Sequence, residues 1–199
     1  MDAQKFTQKS LEAIQLAHDF VLEHQNMQLQ QEHLLLALLR QEEGLIPQLL
    51  KKLGAEGLEA EVSKAVDRLP GVSGPGREAG KIYISADVDR VLLEAEKTAE
   101  RMKDEYVSVE HIFLALLDHP DDTLKKLFQT HSLTKNAFLK ELSAVRGNTR
   151  VTSDSPETTY DALKKYGTDL VEQAKNKKLD PVIGRDDEIR NVIRILTRK

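Results

Sequence analysis

The chain of 199 residues contains no cysteine, and this absence excludes two kinds of stabilising site. A disulfide framework and a thiolate zinc site both need cysteine side chains. The sequence also lacks any apolar run that approaches the roughly 20 residues of a membrane-spanning helix. Its N-terminal segment, MDAQKFTQKS, has none of the apolar core of a secretory signal. We therefore expect a folded cytoplasmic protein with no membrane partner.

An excess of positive charge is also missing. The chain has 29 basic and 33 acidic residues, which give a formal net charge of −4. Because nucleic-acid binding depends on clustered cations, we do not expect nucleic acid as a partner. No Gly-x-x-x-x-Gly-Lys-Ser/Thr loop occurs, so the chain has no phosphate cradle with its lysine and magnesium-binding hydroxyl. We expect no catalytic residue and no cofactor in this chain.

What the sequence does contain is an internal repeat. The segment QEHLLLALL at residues 31–39 returns as VEHIFLALL at residues 109–117, an offset of 78 residues. The same offset relates Phe6 to Ile84, Ile14 to Leu92, Leu49 to Leu127 and Leu50 to Phe128. Two copies are too few for an open stack of repeats. We therefore predict one closed, all-α domain whose halves are related by a pseudo-twofold axis.

Each copy predicts a similar series of helices. The first helix should begin after Thr7 in one copy and after Ser85 in the other, because hydroxyl side chains cap helix N-termini. The second helix, at residues 31–40 and 109–118, is apolar nearly all round, which is typical of a buried central element. A short helix that Gly54 ends should follow in the first copy. The predicted buried stripes of the two first helices are Leu11, Ile14, His18 and Val21, and Val88, Leu92, Ala95, Ala99 and Met102.

Changes in composition divide the chain into parts. Residues 70–76, PGVSGPG, read as a crossover between the copies. Residues 148–158 are polar apart from Val151 and predict a linker that does not pack. We accordingly predict an N-terminal domain over residues 1–147 and the start of an α/β domain over residues 159–199. Its last helix should begin near Asp186, with Ile189, Val192, Ile193 and Leu196 as the buried stripe.

Two further segments carry a family resemblance. The repeats with their Glu-His helices are followed by LKKYGTDL at residues 163–170 and LDPVIGRDDEI at residues 179–189. In these features the sequence resembles the ClpB-type AAA+ disaggregases, with the ClpC-type unfoldases that feed a ClpP-type protease as the second alternative. A free-standing helical adaptor is a third interpretation, from another class. The coiled-coil middle domain that separates the first two families is not in this chain.

The resemblance implies the properties of the full-length protein. It would be a homohexamer that uses ATP and Mg to thread polypeptides through a central pore. Its partners would be unfolded or aggregated polypeptides and a DnaK-type chaperone system. The resemblance also implies that Val182, Ile183 and Gly184 contact adenine in the full-length protein.

Candidate client-binding residues come from two sources. Leu16 and Phe20 lie about 200° and 240° from Ile14 around the first helix, off its predicted buried stripe. They should either pack against the other repeat or form one wall of a groove for apolar client segments. The resemblance adds Thr7, Asp104 and Glu110 as polar residues that border such a groove.

Two other residue types have simpler explanations. The six histidines include His33 and His111 at equivalent positions, but no His-x-x-x-His pair or cysteine accompanies them. We expect them to be packing residues and expect no metal. Glu32 and Glu110 lie in the first turn of the central helices, where a carboxylate interacts favourably with the helix dipole. That position explains them without a catalytic role.

Overall fold

The computed structural model describes residues 3–42, 44–72, 82–147, 150–156 and 185–196. The chain divides into two compact units, Met1–Tyr160 and Asp161–Lys199. Within the described ranges, no helix combines the length and the apolar character that crossing a membrane requires.

The first unit is helical and follows the 78-residue repeat. After a 3₁₀ turn at Ala3–Lys5, its first half contains α1 (Gln8–Glu23), α2 (Gln31–Leu39), α3 (Leu45–Lys52) and α4 (Leu58–Asp67). Its second half contains α5 (Ala86–Met102), α6 (Val109–Asp118), α7 (Asp122–Thr130) and α8 (Lys135–Arg146). Each helix of the second half begins 77 or 78 residues after its counterpart. The predicted helical fold with two related halves is confirmed.

Short parallel pairings link segments that are distant in sequence. Strand β1 (Gln28–Leu29) pairs with β2 (Tyr83–Ile84), so that Gln28 lies opposite Tyr83. An isolated parallel bridge joins Phe6 to Val107. Both pairings place a segment of one half directly against the chain of the other half, which holds the two halves in register.

The predicted helix ends are present. Thr7 Oγ1 accepts a hydrogen bond from the backbone N–H of Ser10 at 3.2 Å, and Ser85 Oγ accepts one from Val88 at 3.3 Å. Gly54 follows α3 with a φ of +72°, the left-handed conformation that glycine adopts without strain. Local sequence signals therefore set these boundaries.

Helices α2 and α6 form the centre of the core. Every residue of α2 is buried, as the predicted central role requires. In α6, the ring of Phe113 lies 4.6 Å from that of Phe138 and 6.2 Å from that of Phe128, measured between ring centroids. These contacts join α6 to α7 and α8 through aromatic packing.

The predicted stripe of α1 is correct at Val21, but the observed buried face is rotated from the predicted one. The centre of its buried face consists of Ser10, Ala13 and Ala17, whereas Leu11 and Ile14 lie half-buried at its border. At 100° per residue, the observed face is rotated by about 70° from the one centred on Ile14. Small side chains allow α1 to approach α2 closely, and this approach decides the orientation. In α5 the predicted stripe is buried except for Met102, which is half-buried.

The expectation that residues 148–158 do not pack is wrong at Val151 and Pro156, whereas Arg150 and residues 152–154 are exposed as expected. Val151 is fully buried, and Pro156 is buried as well. The limits predicted for the two domains, at 147 and 159, remain predictions.

In the second unit the structure describes one helix, α9 (Asp186–Leu196), which begins where the sequence predicted. Val192 and Ile193 of its predicted buried stripe are exposed, so the stripe prediction is wrong at these two positions. Among the described residues of this unit there is no second element for the stripe to pack against. The predicted α/β domain stays a prediction.

Candidate functional site

A buried histidine caps the central helix of each half in the same way. The N–H of Gln30 donates to His33 Nδ1 at 3.1 Å, and the N–H of Ser108 donates to His111 Nδ1 at 3.0 Å. Because Nδ1 accepts in both rings, Nε2 carries the proton and donates it. The acceptors are Asn26 Oδ1 at 2.9 Å and Asp104 Oδ2 at 3.0 Å.

Asn26 and Asp104 are themselves related by the 78-residue offset, and each holds the chain that leaves the fourth helix of its half. Asn26 Nδ2 donates to the carbonyl oxygens of Leu69, at 3.4 Å, and Pro70, at 3.1 Å. Asp104 Oδ1 instead accepts from the N–H of Val151, at 2.9 Å. An amide occurs where the departing chain presents carbonyls, and a carboxylate occurs where it presents an N–H.

The carboxylate of Asp104 is completely buried and accepts several hydrogen bonds. Burial raises its pKa, but hydrogen bonds from His111, Arg146 and Val151 outweigh the burial and hold the pKa at about 2. Arg146 Nη2 contacts Asp104 directly, while Arg146 Nη1 lies 3.7 Å from Glu110 Oε1. Asp104, Glu110 and Arg146 thus form one buried charged cluster.

In the first half, the acceptor of the histidine is the neutral amide of Asn26 in place of a carboxylate. Burial, followed by repulsion from His24, lowers the pKa of His33 to about 4. His33 is therefore neutral at physiological pH, and its acceptor Asn26 is neutral as well. The two caps share geometry but differ in electrostatics.

Residues 150–156, which we name the strap, run along the first unit from the Asp104 cluster to the start of α1. The N–H of Glu105 donates to the Val151 carbonyl at 2.9 Å. At the other end, Gln8 donates twice to Asp154: its N–H to the backbone carbonyl at 2.8 Å, and Nε2 to Oδ2 at 2.9 Å. The strap is therefore anchored at both ends by backbone and side-chain hydrogen bonds.

The predicted polar site residues lie around this strap. Thr7 is buried, precedes the strap-binding Gln8, and donates its N–H to the Val107 carbonyl at 3.0 Å. Asp104 binds the strap directly, and Glu110 is buried beside Arg146. The structure brings these three predicted residues to one region, but inside the protein.

The two predicted apolar residues lie elsewhere, on α1. Phe20 is 6% exposed and belongs to the core, and the guanidinium of Arg40 lies 5.4 Å from its ring centroid. Phe20 continues the Ala13 and Ala17 face, so its burial agrees with the packing alternative and not with the wall of a groove. Leu16 is half-buried and packs against the core.

Glu32, the counterpart of Glu110, is buried without a comparable cation. Burial is the main cause that raises its pKa, and the nearby Asp121 carboxylate adds to the rise. Its Oε2 has no hydrogen-bond partner among the described residues. Both carboxylate oxygens of Glu110 also lack a hydrogen-bond partner among the described residues, so the difference between the two glutamates is the nearby Arg146 guanidinium at Glu110.

The first unit also exposes large apolar side chains. Leu22, Val72, Tyr83 and Ile84 are between 39% and 55% exposed, and Leu93 on α5 is 52% exposed. The first four lie in or next to residues 22–29. Leu22 begins this stretch, the N–H of Val72 donates to the carbonyl oxygen of Gln25, and β2, which contains Tyr83 and Ile84, pairs with β1. We call these four residues the sheet-edge patch.

The remaining predictions concern nucleotide and metal binding. Val182, Ile183 and Gly184, predicted to contact adenine, lie outside the described residues. Across the described ranges, no group of three or more His, Cys, Asp or Glu side chains is placed to hold a metal ion.

Sequence reasoning missed Asn26, Arg146 and Val151. Two sequence signals could have identified Asn26 and Val151. Asn26 and Asp104 obey the repeat offset, and Val151 is the one large apolar residue in an otherwise polar segment.

Comparison with known protein families gives a match over most of the first unit. The model of the Clp repeat (R) N-terminal domain matches residues 5–131. Among curated proteins, the chain is 48% identical over 206 residues to the chaperone protein ClpB of Nitratidesulfovibrio vulgaris, and 44% identical over 201 residues to that of Bacillus anthracis. Each alignment includes all of this chain and 23% of the relative's length.

A solved structure agrees with these matches. The Hsp104 N-terminal domain from Candida albicans is 26% identical, with a TM-score of 0.64. The similarity covers 75% of this chain and 97% of that domain.

Proposed function

Because the chain belongs to the family of Clp repeat N-terminal domains, we propose that it is the client-binding N-terminal part of an ATP-dependent protein disaggregase. The full-length protein would be a cytoplasmic homohexamer that binds ATP and Mg and works with a DnaK-type chaperone system. The ClpB relatives support this choice over a ClpC-type unfoldase or a free-standing adaptor. This chain would bind clients, and the ATPase part of the protein would move them.

The sheet-edge patch is the observation that carries the proposal. Four large apolar side chains on neighbouring, hydrogen-bonded segments are exposed to water, and exposed apolar surface of this kind serves binding. Unfolded clients expose similar side chains, so the patch and the client would remove each other's apolar area from water. Leu16, half-exposed on α1, is retained as a proposed contact.

The other predicted contacts would act less directly. Thr7, Asp104 and Glu110 are buried, so we propose that they influence client binding through the position of the strap. Phe20 lies under Arg40, and a client would reach its ring only after the guanidinium moves.

Client binding of this kind should be weak. Burying one large apolar side chain contributes roughly 1.5 to 3 kcal/mol. After the costs of association are subtracted, two or three such contacts correspond to affinities from about micromolar to millimolar. A low affinity suits a protein that threads its clients through a pore, because each client has to be released again.

The test replaces Tyr83 and Ile84 together by serine. We expect the affinity for an unfolded model protein, measured by fluorescence anisotropy, to fall about tenfold or more, since both side chains lose apolar contact area. Gln28→Ser is the matched control, because Gln28 lies opposite Tyr83 but contributes no apolar surface. The melting temperature should stay unchanged in both variants. Equal affinities for the double variant and the control would contradict the patch as the binding surface.

A further inference from the structure

A second surface of the first unit differs in character from the sheet-edge patch. Helices α4 and α7 border a groove of about 410 Å³. Its floor includes the half-buried Ala65 and Leu127, and its walls carry Lys64, Arg68 and Lys126. We call it the cationic groove.

The three cations of this groove have no ion-pair partner among the described residues. Within that part of the chain, none of them forms a side-chain hydrogen bond with the protein either. Glu61 is the acidic residue of the lining, and its Oε1 lies 3.4 Å from Nε2 of His131. The groove therefore keeps an excess of positive charge on a chain whose net charge is −4.

The helix dipole explains the charges only in part. Lys64 and Arg68 lie at the C-terminal end of α4, where cations are favourable. However, they are four residues apart, a spacing at which like charges repel, and Lys126 approaches from another helix. An anionic partner would relieve this repulsion.

We propose that the cationic groove binds an acidic peptide segment of a partner protein. Carboxylates of the segment pair with Lys64, Arg68 and Lys126, and one of its apolar side chains lies on Ala65 and Leu127. This surface is separate from the client-binding patch, and the inference does not depend on the proposed function. The aliphatic floor favours a peptide over a nucleic acid, because the groove lining has no aromatic ring on which a base could stack.

The experiment uses the whole chain and short fluorescent peptides. One peptide is rich in Asp and Glu around a central leucine, a second has Gln and Asn in their place, and a third has Lys. A single-stranded DNA oligomer is the fourth probe. We expect the acidic peptide to bind, the other two peptides to bind at least about tenfold more weakly, and added salt to weaken the acidic complex.

Two triple variants locate the site. Replacing Lys64, Arg68 and Lys126 by glutamine should weaken the acidic peptide about tenfold or more. The control replaces the exposed Lys52, Lys125 and Lys140 by glutamine, which removes the same charge outside the groove lining. It should change the affinity less than about twofold, and both variants should keep the melting temperature.

Three results would overturn the inference. The first is an equal loss in both triple variants, which would indicate general electrostatic attraction. The second is DNA binding as tight as peptide binding and equally sensitive to the groove variant. The third is failure of the unchanged chain to bind the acidic peptide. The double variant of Tyr83 and Ile84 should leave acidic-peptide binding unchanged, so this test and that of the client surface fail independently.

Discussion

Asn26 and Asp104 have the same shape and equivalent positions, but they differ in what they can donate. Each accepts a hydrogen bond from a buried histidine with one oxygen. The remaining group of Asn26 donates to two carbonyls, whereas that of Asp104 accepts from an N–H and pairs with Arg146. The backbone groups of the chain that leaves each half therefore determine whether asparagine or aspartate occupies this position.

Exchanging these two residues tests this explanation. Asn26→Asp would place a carboxylate against the carbonyls of Leu69 and Pro70, and Asp104→Asn would leave Arg146 buried without its carboxylate. We expect each change to lower the free energy of unfolding by about 2 to 5 kcal/mol. Denaturant titration measures the loss. Asn136→Asp, at an exposed position of α8, should cost less than about 0.5 kcal/mol; an equally small cost for Asn26→Asp would refute the explanation.

Glu32 and Glu110 provide a second comparison between the halves. Because the folded protein raises the pKa of Glu32 above its usual value of 4.5, ionising Glu32 at neutral pH costs stability. We expect Glu32→Gln to raise the melting temperature at pH 7 by about 2 to 4 °C. The gain should vanish below the ordinary carboxyl pKa, where Glu32 is protonated in both the folded and the unfolded state.

The matched variant is Glu110→Gln, which removes a carboxylate 3.7 Å from Arg146. It should lower the melting temperature at pH 7, since the buried guanidinium loses a counter-charge. Thermal melts of both variants at pH 7 and pH 4 make the comparison. Changes of the same sign at pH 7 would show that the two glutamates are equivalent after all.

At the scale of elements, the strap is held by two buried residues, Val151 and Pro156, and a few hydrogen bonds. Val151→Ser should loosen it without unfolding the helices, because Val151 is fully buried but lies outside the helical framework. We expect the amides of Gln8 and Glu105, which donate to the strap, to exchange hydrogen about tenfold faster. The melting temperature should change little.

Thr152→Ser is the control for this prediction, since Thr152 is exposed on the same segment. It should leave exchange at Gln8 and Glu105 unchanged. If Val151→Ser also leaves both amides protected, the strap is held by its hydrogen bonds alone.

Helix α1 shows where sequence patterns fail at this scale. Its large apolar residues Leu11 and Ile14 predicted the buried face, but small residues decide how closely two helices approach. The centre of the face is therefore Ala13 and Ala17, and Phe20 follows them into the core. In α5 the buried face contains both large and small residues, among them Leu92 and Ala95, and there the pattern gave the correct face.

At the scale of the whole molecule, the repeat offset was sufficient to predict the fold of the first unit. Helix caps and hydrophobic periodicity are local properties of the sequence. Because the sequence repeats, the helices identified in one half predict the helices of the other. The site was harder to predict, because its members come together only through tertiary contacts. Asp104 and Arg146 are 42 residues apart, and Gln8 and Asp154 are 146 apart. No spacing rule relates such pairs.

The anchoring of the strap also determines how the first unit responds to mechanical force. A pull on the chain beyond Pro156 reaches the Gln8–Asp154 bonds first and the Val151–Asp104 bond afterwards, because they follow one another along the strap. Bonds broken one at a time resist less than bonds sheared together. The strap should detach under a tension that leaves α8 and the core intact. The free chain after α8 then becomes longer before any helix of the domain unfolds.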